Sequence, residues 1–203
     1  KSDGPTVLTV AEIASTGNEN EHYWFDLATV NKVAAAVQVK LAELDPAHAT
    51  EFDANAQSFT ADLGLLQDQL SADKSKFNSM TVLATEPLAD YLVASFGVAD
   101  QTPEAFKHAI ENESDAPIAT LNDMRKRLFA GKVAALIVNP QTAGSQVQEL
   151  VAAAKTGKVA VVEIAEFQTE PGQTYLNWMG ENIRILEAAL EGSTGGTQGS
   201  NGD

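Results

Sequence analysis

Three side chains in this sequence, one imidazole and two carboxylates, have the chemistry to bind a divalent metal ion. His22 lies in the segment Glu21–Asp26, directly ahead of a long alanine-rich stretch. Glu86 and Glu166 each follow a short run of apolar residues, the position where strands end and ligands bind in alternating α/β proteins. A neutral imidazole supplies a borderline-soft nitrogen donor, and two carboxylates offset the charge of the cation. Together the three residues can form part of a metal site.

Each of these residues also has an ordinary structural explanation. His22 can pack or cap at the entry of the following helix, as single histidines near aromatic residues often do. Glu86 and Glu166 can be solvated loop acids in a chain with 28 acidic residues. His48, in the first turn of a helix, and His108, on a presumed strand edge, are expected to be solvated. The residues alone therefore leave metal binding and structural roles open.

Composition argues against several other classes of function. The 203-residue chain has 28 acidic and 13 basic residues and a net charge of −15. This balance argues against nucleic-acid binding, because a phosphate backbone is met by clustered Lys and Arg. The absence of cysteine excludes disulfides, thiolate zinc sites and thiol nucleophiles. The catalytic motifs His-Glu-x-x-His and Gly-x-Ser-x-Gly and a phosphate loop are also absent, which argues against an enzyme.

No stretch approaches the roughly 20 apolar residues that cross a bilayer. Lys1 does not open a signal-peptide pattern, so we expect any targeting segment to be missing or removed.

Two long helices are predicted ahead of the alternating part of the chain. A short strand is expected over Thr6–Val10. From Leu27 to Leu44, apolar residues recur at three- and four-residue steps, which is the period of a helix. Asp45-Pro46 then gives an N-cap followed by proline at the first position of a second long helix. These two helices predict an extended helical linker.

The rest of the chain alternates between short apolar runs and helical patterns. This alternation is typical of a parallel sheet with right-handed crossovers. We therefore predict an α/β fold in which a long linker helix is followed by a Rossmann-like lobe with a roughly four-stranded parallel sheet and flanking helices. Strands are predicted over 81–84, 133–138 and 159–164, with a possible strand at 106–110, and helices over 88–96, 118–129, 145–154 and 175–190.

Several segments together resemble the metal-specific solute-binding proteins of bacterial ABC transporters, the zinc and manganese family of cluster A-I. The resemblance covers roughly Thr6 to Leu190. Its segments are His22–Asp26, Leu44–Pro46, Thr85–Leu92 with Phe96–Val98, Glu163–Phe167 and Tyr175–Asn182.

The resemblance implies a ligand set. His22, Glu86 and Glu166 correspond to three of four expected metal ligands, and the fourth is expected to be a histidine in an N-terminal lobe. No residue before Thr6 can supply it, so we expect the sequence to be a fragment or to lack an N-terminal stretch. Asn139 lies where relatives often carry a carboxylate, and we expect it to support the site rather than bind the metal. The oxygen-rich set shifts preference modestly towards Mn²⁺ relative to Zn²⁺, although the general affinity order favours Zn²⁺.

The resemblance also implies organisation and function. We expect the end of an N-terminal lobe at 1–26, a helical linker at 27–78, a C-terminal α/β lobe at 79–191 and a disordered tail at 192–203. The protein is expected to be a monomeric, non-enzymatic, extracytoplasmic carrier, either periplasmic or a cell-surface lipoprotein with a membrane tether. It would capture Zn²⁺ or Mn²⁺ and deliver the ion to an ABC permease. A surface adhesion module and, less favoured, a metallohydrolase are the alternatives.

Overall fold

The computed structural model describes residues 5–15, 17, 20–168 and 171–195. Contacts divide the chain into two compact units, Lys1–Gln69 and Leu70–Asp203, and the boundary falls within one long helix. The four segments expected from the sequence stay a prediction. In chain order, the elements are α1 (Val10–Ala14), α2 (Leu27–Leu44), α3 (Ala49–Phe77), β1 (Thr81–Ala84), α4 (Asp90–Ser95), β2 (Ala99–Asp100), α5 (Glu104–Glu111), α6 (Ile118–Phe129), β3 (Ala135–Val138), α7 (Ser145–Thr156), β4 (Ala160–Glu163) and α8 (Tyr175–Gly195).

The first unit is helical, and its long helix α2 has the predicted bounds. The carboxylate of Asp26 caps this helix by accepting a hydrogen bond from the backbone N–H of Ala28 at 3.1 Å and one from the hydroxyl of Thr29 at 2.6 Å. These bonds satisfy polar groups that the first turn of a helix otherwise leaves unpaired. A 3₁₀ turn over Pro46–His48, with proline at its start, then leads into α3.

The predicted strand over Thr6–Val10 is wrong. Residues 5–9 have no regular structure, and α1 begins at Val10. Val7 is 77% exposed, and the described residues provide no neighbouring strand for this segment. A strand is stabilised by pairing, which an apolar β-branched run cannot supply by itself.

The second unit confirms the predicted α/β fold. Its described strands form one parallel sheet in the order β2-β1-β3-β4, and β3 pairs in register with both β1 and β4. α8 packs on β3 and β4 through apolar residues at helical spacing. The main apolar cluster contains residues of β1, β3, α5, α6 and α7, among them Leu83, Phe106, Met124, Leu128, Leu136, Val138, Val147 and Leu150.

Two predictions in this unit need correction. The possible strand at 106–110 is wrong, because this segment lies in α5, where Phe106 and Ile110 are one helical turn apart and face the apolar cluster. The fourth strand is instead the two-residue β2. The last helix was predicted to end at residue 190, but α8 continues to Gly195; extending an existing helix adds hydrogen bonds without a new nucleus. Residues 196–203 lie outside the described residues.

Among the described helices, none combines the length and the apolar character needed to cross a membrane.

A buried ion-pair cluster ties α5 to the ends of β1 and β2. The ammonium of Lys107, only 3% exposed, lies 2.8 Å from Asp90 Oδ1 and 2.6 Å from Asp100 Oδ2. Asp100 Oδ1 also accepts from the backbone N–H and the hydroxyl of Thr102, and that hydroxyl accepts from the backbone N–H of Ala84 at 2.6 Å. Burial alone would lower the pKa of Lys107, but the charges and hydrogen bonds of Asp100 and Asp90 outweigh it and raise the pKa.

Replacing Lys107 with methionine is expected to lower the free energy of unfolding by about 3–5 kcal/mol, because Asp90 and Asp100 are then left without their cation. Urea denaturation at neutral pH measures this change. Lys40→Met is the control, since its ion pair with Glu43 is on the surface and should contribute no more than about 1 kcal/mol. Equal losses in the two variants would contradict a stabilising role of the cluster.

The raised pKa of Lys107 also predicts a pH dependence. The folded state holds this proton more tightly than the unfolded chain, whose lysines have an ordinary pKa of 10.5. The stabilisation is therefore complete below about pH 10.5 and is lost as the pH rises through the higher folded value. On the alkaline side of neutrality, the stability difference between the unsubstituted protein and Lys107→Met should shrink only in that range.

Candidate metal centre

Glu86 lies two residues after the end of β1, at the carboxyl edge of the sheet, and two side chains from the loop after β3 hold its carboxylate. Asn139 donates from Nδ2 to Oε2 of Glu86 at 3.1 Å, and the hydroxyl of Thr142 donates to Oε1. Glu86 is 8% exposed and Asn139 is 2% exposed. An ionised carboxylate has about four lone-pair positions, so these two bonds leave acceptor capacity for a cation.

Glu166 lies at the same edge, in the segment that follows β4. It is half-buried, and its backbone N–H donates to Oε1 of Gln141 at 2.9 Å. The backbone N–H of Gln141 donates in turn to Oδ1 of Asn139 at 3.0 Å. The four-residue segment Asn139–Thr142, named here the clamp loop, therefore contacts both predicted carboxylate ligands of the second unit.

His22 belongs to the first unit, where it precedes a 3₁₀ turn over Tyr23–Phe25. Its Nδ1 lies 2.8 Å from Oδ1 of Asn20, which also accepts from the backbone N–H of His22 at 2.9 Å. The edge of the imidazole meets the ring of Trp24, with centroids 5.2 Å apart and planes at 76°. Since an amide oxygen can only accept, Nδ1 carries the proton in the neutral ring, and the lone pair is on Nε2. This is the state in which histidine binds a metal.

The other residues considered from the sequence lie in the expected surroundings. His48 is exposed and lies 2.8 Å from Asp45. His108 is also exposed, although on α5 rather than on a strand edge, and Glu163 faces solvent on β4. These findings confirm the expectation that His48 and His108 are solvated.

The three predicted ligands are divided between the two units, with Glu86 and Glu166 in the second and His22 in the first. Within the described part of the chain, no three or more His, Asp or Glu side chains are grouped so as to hold a metal ion. The ligand set therefore stays a prediction. What the structure adds is the set of groups that orient His22 and the carboxylate of Glu86 and that bind the backbone of Glu166.

Sequence reasoning missed the roles of Gln141 and Thr142. Both lie in a polar run that directly follows the fully buried strand β3. A polar run after a buried strand is the available signal for such residues, because parallel strands place the following loops along one edge. The expected supporting role of Asn139 agrees with its hydrogen bond to Glu86.

Asn139→Asp is expected to lower the free energy of unfolding of the metal-free protein by about 1–3 kcal/mol at neutral pH, since it replaces a buried donor to Glu86 with a second carboxylate. The loss should become smaller at about pH 4, where carboxyl groups begin to take up protons. Chemical denaturation at both pH values measures it. Asn112→Asp, at an exposed position, is the control. A loss of the same size at both pH values would contradict repulsion between the introduced carboxylate and that of Glu86.

Comparison with known proteins gives the context of these residues. The model of the family described as "Zinc-uptake complex component A periplasmic" (ZnuA) matches residues 2–189. Among curated proteins, the chain has no significant match.

Several solved structures share the fold. The periplasmic zinc binding protein TroA from Treponema pallidum has a TM-score of 0.72 at 18% identity, covering 93% of this chain and 73% of that chain. A Zn(II)-bound mutant variant of AdcAII from Streptococcus pneumoniae has a TM-score of 0.66 at 22% identity, covering 93% and 68%. The solute-binding protein FpvC from Pseudomonas aeruginosa, in complex with Mn²⁺, has a TM-score of 0.64 at 18% identity, covering 86% and 62%.

The family match extends over most of the sequence and includes every segment that carried the resemblance. It confirms the expected family and extracytoplasmic location. The chain belongs to the zinc-uptake component A family of periplasmic, metal-binding solute-binding proteins.

Proposed function

We propose that this chain captures a divalent transition metal ion, Zn²⁺ or Mn²⁺, outside the cytoplasm and delivers it to an ABC importer without chemical transformation. The observation that carries this proposal is the carboxylate of Glu86, buried at the carboxyl edge of the sheet and held by Asn139 and Thr142. A buried carboxylate needs compensation by donors or by a cation, and a metal ion would supply the remaining charge. Membership of a family of binding proteins supports capture rather than catalysis.

We propose His22, Glu86 and Glu166 as the protein ligands. His22 and Glu86 are each oriented by a neighbouring group, which is typical of metal sites because outer partners fix the direction of the coordinating lone pair. Asn20 fixes the imidazole of His22 so that Nε2 is the coordinating atom. The clamp loop orients Glu86 and anchors the backbone at Glu166.

The clamp loop suggests how the ion is released. Because one short loop holds the carboxylate of Glu86 and the backbone at Glu166, a small movement of that loop would change both ligands together. Local rearrangement of a few loop residues is an established way to alter a site without large domain closure. In this proposal, the importer triggers release through such a local movement.

The donor set bears on which metal is carried. Two carboxylates and one imidazole form a harder set than one rich in histidine, and hard oxygen ligands suit Mn²⁺. Solved structures of this fold include AdcAII with Zn(II) and FpvC with Mn²⁺. We propose that Mn²⁺ is accepted together with Zn²⁺, with selectivity set by the residue at position 86.

Titration calorimetry with Zn²⁺ and Mn²⁺ tests the ligand set. Binding should weaken by at least about tenfold in each of the variants Glu86→Gln, Glu166→Gln and His22→Ala, because each substitution removes a group proposed to coordinate the ion. His48→Ala and Glu163→Gln should bind as the unsubstituted protein does, since both side chains are solvated. Binding should also raise the melting temperature, as expected for a ligand of the native state alone.

The contradicting outcomes are distinct. Loss of affinity in His48→Ala equal to that in Glu86→Gln would contradict the ligand assignment. No affinity of the unsubstituted protein for either ion would contradict metal capture itself.

Glu86→His tests the origin of selectivity. Replacing an oxygen donor with an imidazole should increase the ratio of Zn²⁺ to Mn²⁺ affinity by about tenfold or more, because softer nitrogen ligands favour Zn²⁺. Competition titrations of both ions against the same chelator measure this ratio. Glu86→Asp, which keeps the carboxylate, is the matched control and should leave the ratio near its original value. An unchanged ratio in Glu86→His would contradict a role of position 86 in selectivity.

A further inference from the structure

Basic residues are concentrated at the amino edge of the sheet in the second unit, opposite the edge that carries Glu86 and Glu166. The chain has 13 basic residues and a net charge of −15, so a local concentration of positive charge is unexpected. Six of the basic residues lie at the ends of α6 and α7 and in the turns that follow them. This cluster, named here the basic pole, consists of Arg125, Lys126, Arg127, Lys132, Lys155 and Lys158.

Four of the six residues of the basic pole line two adjoining concavities. Lys126, Arg127 and Lys132 line one concavity with Val133, and Lys158 lines an adjoining one that also includes Val133. The ends of α6 and α7 are in close contact, because a Cβ on Gly157 would lie only 1.9 Å from the carbonyl oxygen of Leu128. The two helix ends therefore lie together at the amino edge of the sheet.

The charges of the basic pole are only partly neutralised. Its two arginines are ion-paired, Arg127 with Asp123 at 2.9 Å and Arg125 with Glu149 at 3.4 Å. Its four lysines are exposed, and none has a carboxylate within 4.0 Å among the residues that the structure describes. These lysines are Lys126, Lys132, Lys155 and Lys158.

Helix ends explain part of this pattern but not all of it. Lys126 and Lys155 lie in the last turns of α6 and α7, where a cation interacts favourably with the helix dipole. Lys132 and Lys158 lie beyond the helices. Lys158 also has a φ of 59°, a left-handed conformation that favours glycine or asparagine. The backbone therefore does not account for a lysine at that position.

An exposed aromatic ring accompanies these lysines. Phe129, the last residue of α6, is 48% exposed, and its Cα would lie 3.1 Å from a Cβ on Gly157, next to Lys158. Lysines around an apolar ring are typical of surfaces that rest in the headgroup region of a bilayer, where the ring enters the interface and the ammonium groups meet lipid phosphates.

We propose that the basic pole is a docking surface for a bilayer that contains anionic lipids. Lysines suit this partner because each acts as a mobile point charge, whereas arginine is the residue that recognises individual carboxylates with a planar fork. The arginines of the pole are already occupied by Asp123 and Glu149. The negative charge elsewhere on the chain does not prevent binding, since salt screens charges beyond roughly 8 Å at physiological ionic strength.

This surface has a role separate from metal binding. It lies at the amino edge of the sheet, and the candidate ligands of the second unit lie at the carboxyl edge. Contact with a bilayer through the basic pole would therefore leave Glu86 and Glu166 uncovered. Peripheral contact would keep the protein near the membrane in which an importer resides.

Vesicle flotation tests the proposal with the unmodified chain. We expect binding to vesicles of phosphatidylcholine with about 30% phosphatidylglycerol and no binding to phosphatidylcholine alone. Binding should disappear at about 500 mM salt. The combined variant Lys126→Gln, Lys132→Gln and Lys158→Gln should bind about 100-fold more weakly, from a factor of about five for each lysine near an anionic surface.

A variant with the same net charge is the matched control. Lys40→Gln, Lys76→Gln and Arg184→Gln change three ion-paired, surface residues outside the basic pole and should leave vesicle binding within about twofold. Circular dichroism verifies that both variants are folded. Equal binding of the two variants, or equal binding of the unsubstituted chain to neutral and anionic vesicles, would overturn the proposal.

Two further outcomes are informative. Phe129→Ser keeps the charge and should weaken binding several-fold; full affinity would overturn the role assigned to the ring. Sedimentation velocity could instead show salt-sensitive self-association that the triple lysine variant loses, while no vesicle binding is seen. That result would identify a second copy of the chain as the partner and overturn the proposal that the partner is a bilayer. Neither measurement depends on metal affinity, so failure here is separate from failure of the proposed function.

Discussion

The burial of one carboxylate, that of Glu86, is the constraint on which the organisation of the sheet edge depends. An ionised group removed from water must be compensated by hydrogen bonds or an opposite charge. The parallel arrangement of β1 and β3 supplies the means, because it brings the loop after β3 beside the residue that follows β1. Asn139 and Thr142 then reach both oxygens, and Gln141 of the same loop anchors the backbone at Glu166. Sheet topology and candidate site are therefore connected through these five residues.

The long helices and the central strands could be predicted because their signals are local. The bounds of α2 follow from its apolar period and the cap at Asp26, and β1 and β3 are short apolar runs between helical patterns. The errors in strand prediction arise where the secondary structure of a segment depends on whether another strand lies beside it. Thr6–Val10 has strand-forming residues but, within the described part of the chain, no neighbouring strand, whereas β2 has only two residues and is a strand because β1 lies beside it. An isolated sequence pattern contains neither fact.

In the candidate site, too, local sequence patterns indicate some residues and not others. His22, Glu86 and Glu166 were chosen because chemistry and position along the chain suggest metal ligands, and Asn139 was assigned a supporting role. The hydrogen bonds of Thr142 to Glu86 and of Gln141 to Glu166 cross 56 and 25 residues of sequence. No local pattern pairs such distant side chains. The buried pairing of Lys107 with Asp90 and Asp100 was also missed, because the segment that contains Lys107 was predicted as a possible strand.

We propose that Glu86 and Glu166, with His22, bind the metal ion that this protein carries. Anomalous diffraction from crystals of the metal-loaded protein, recorded on both sides of the zinc and manganese absorption edges, tests it most directly. We expect one strong peak, with a carboxylate oxygen of each glutamate and Nε2 of His22 at about 2.0–2.2 Å. A peak bound only by other residues, or the absence of a peak at the carboxyl edge of the sheet, would contradict the account.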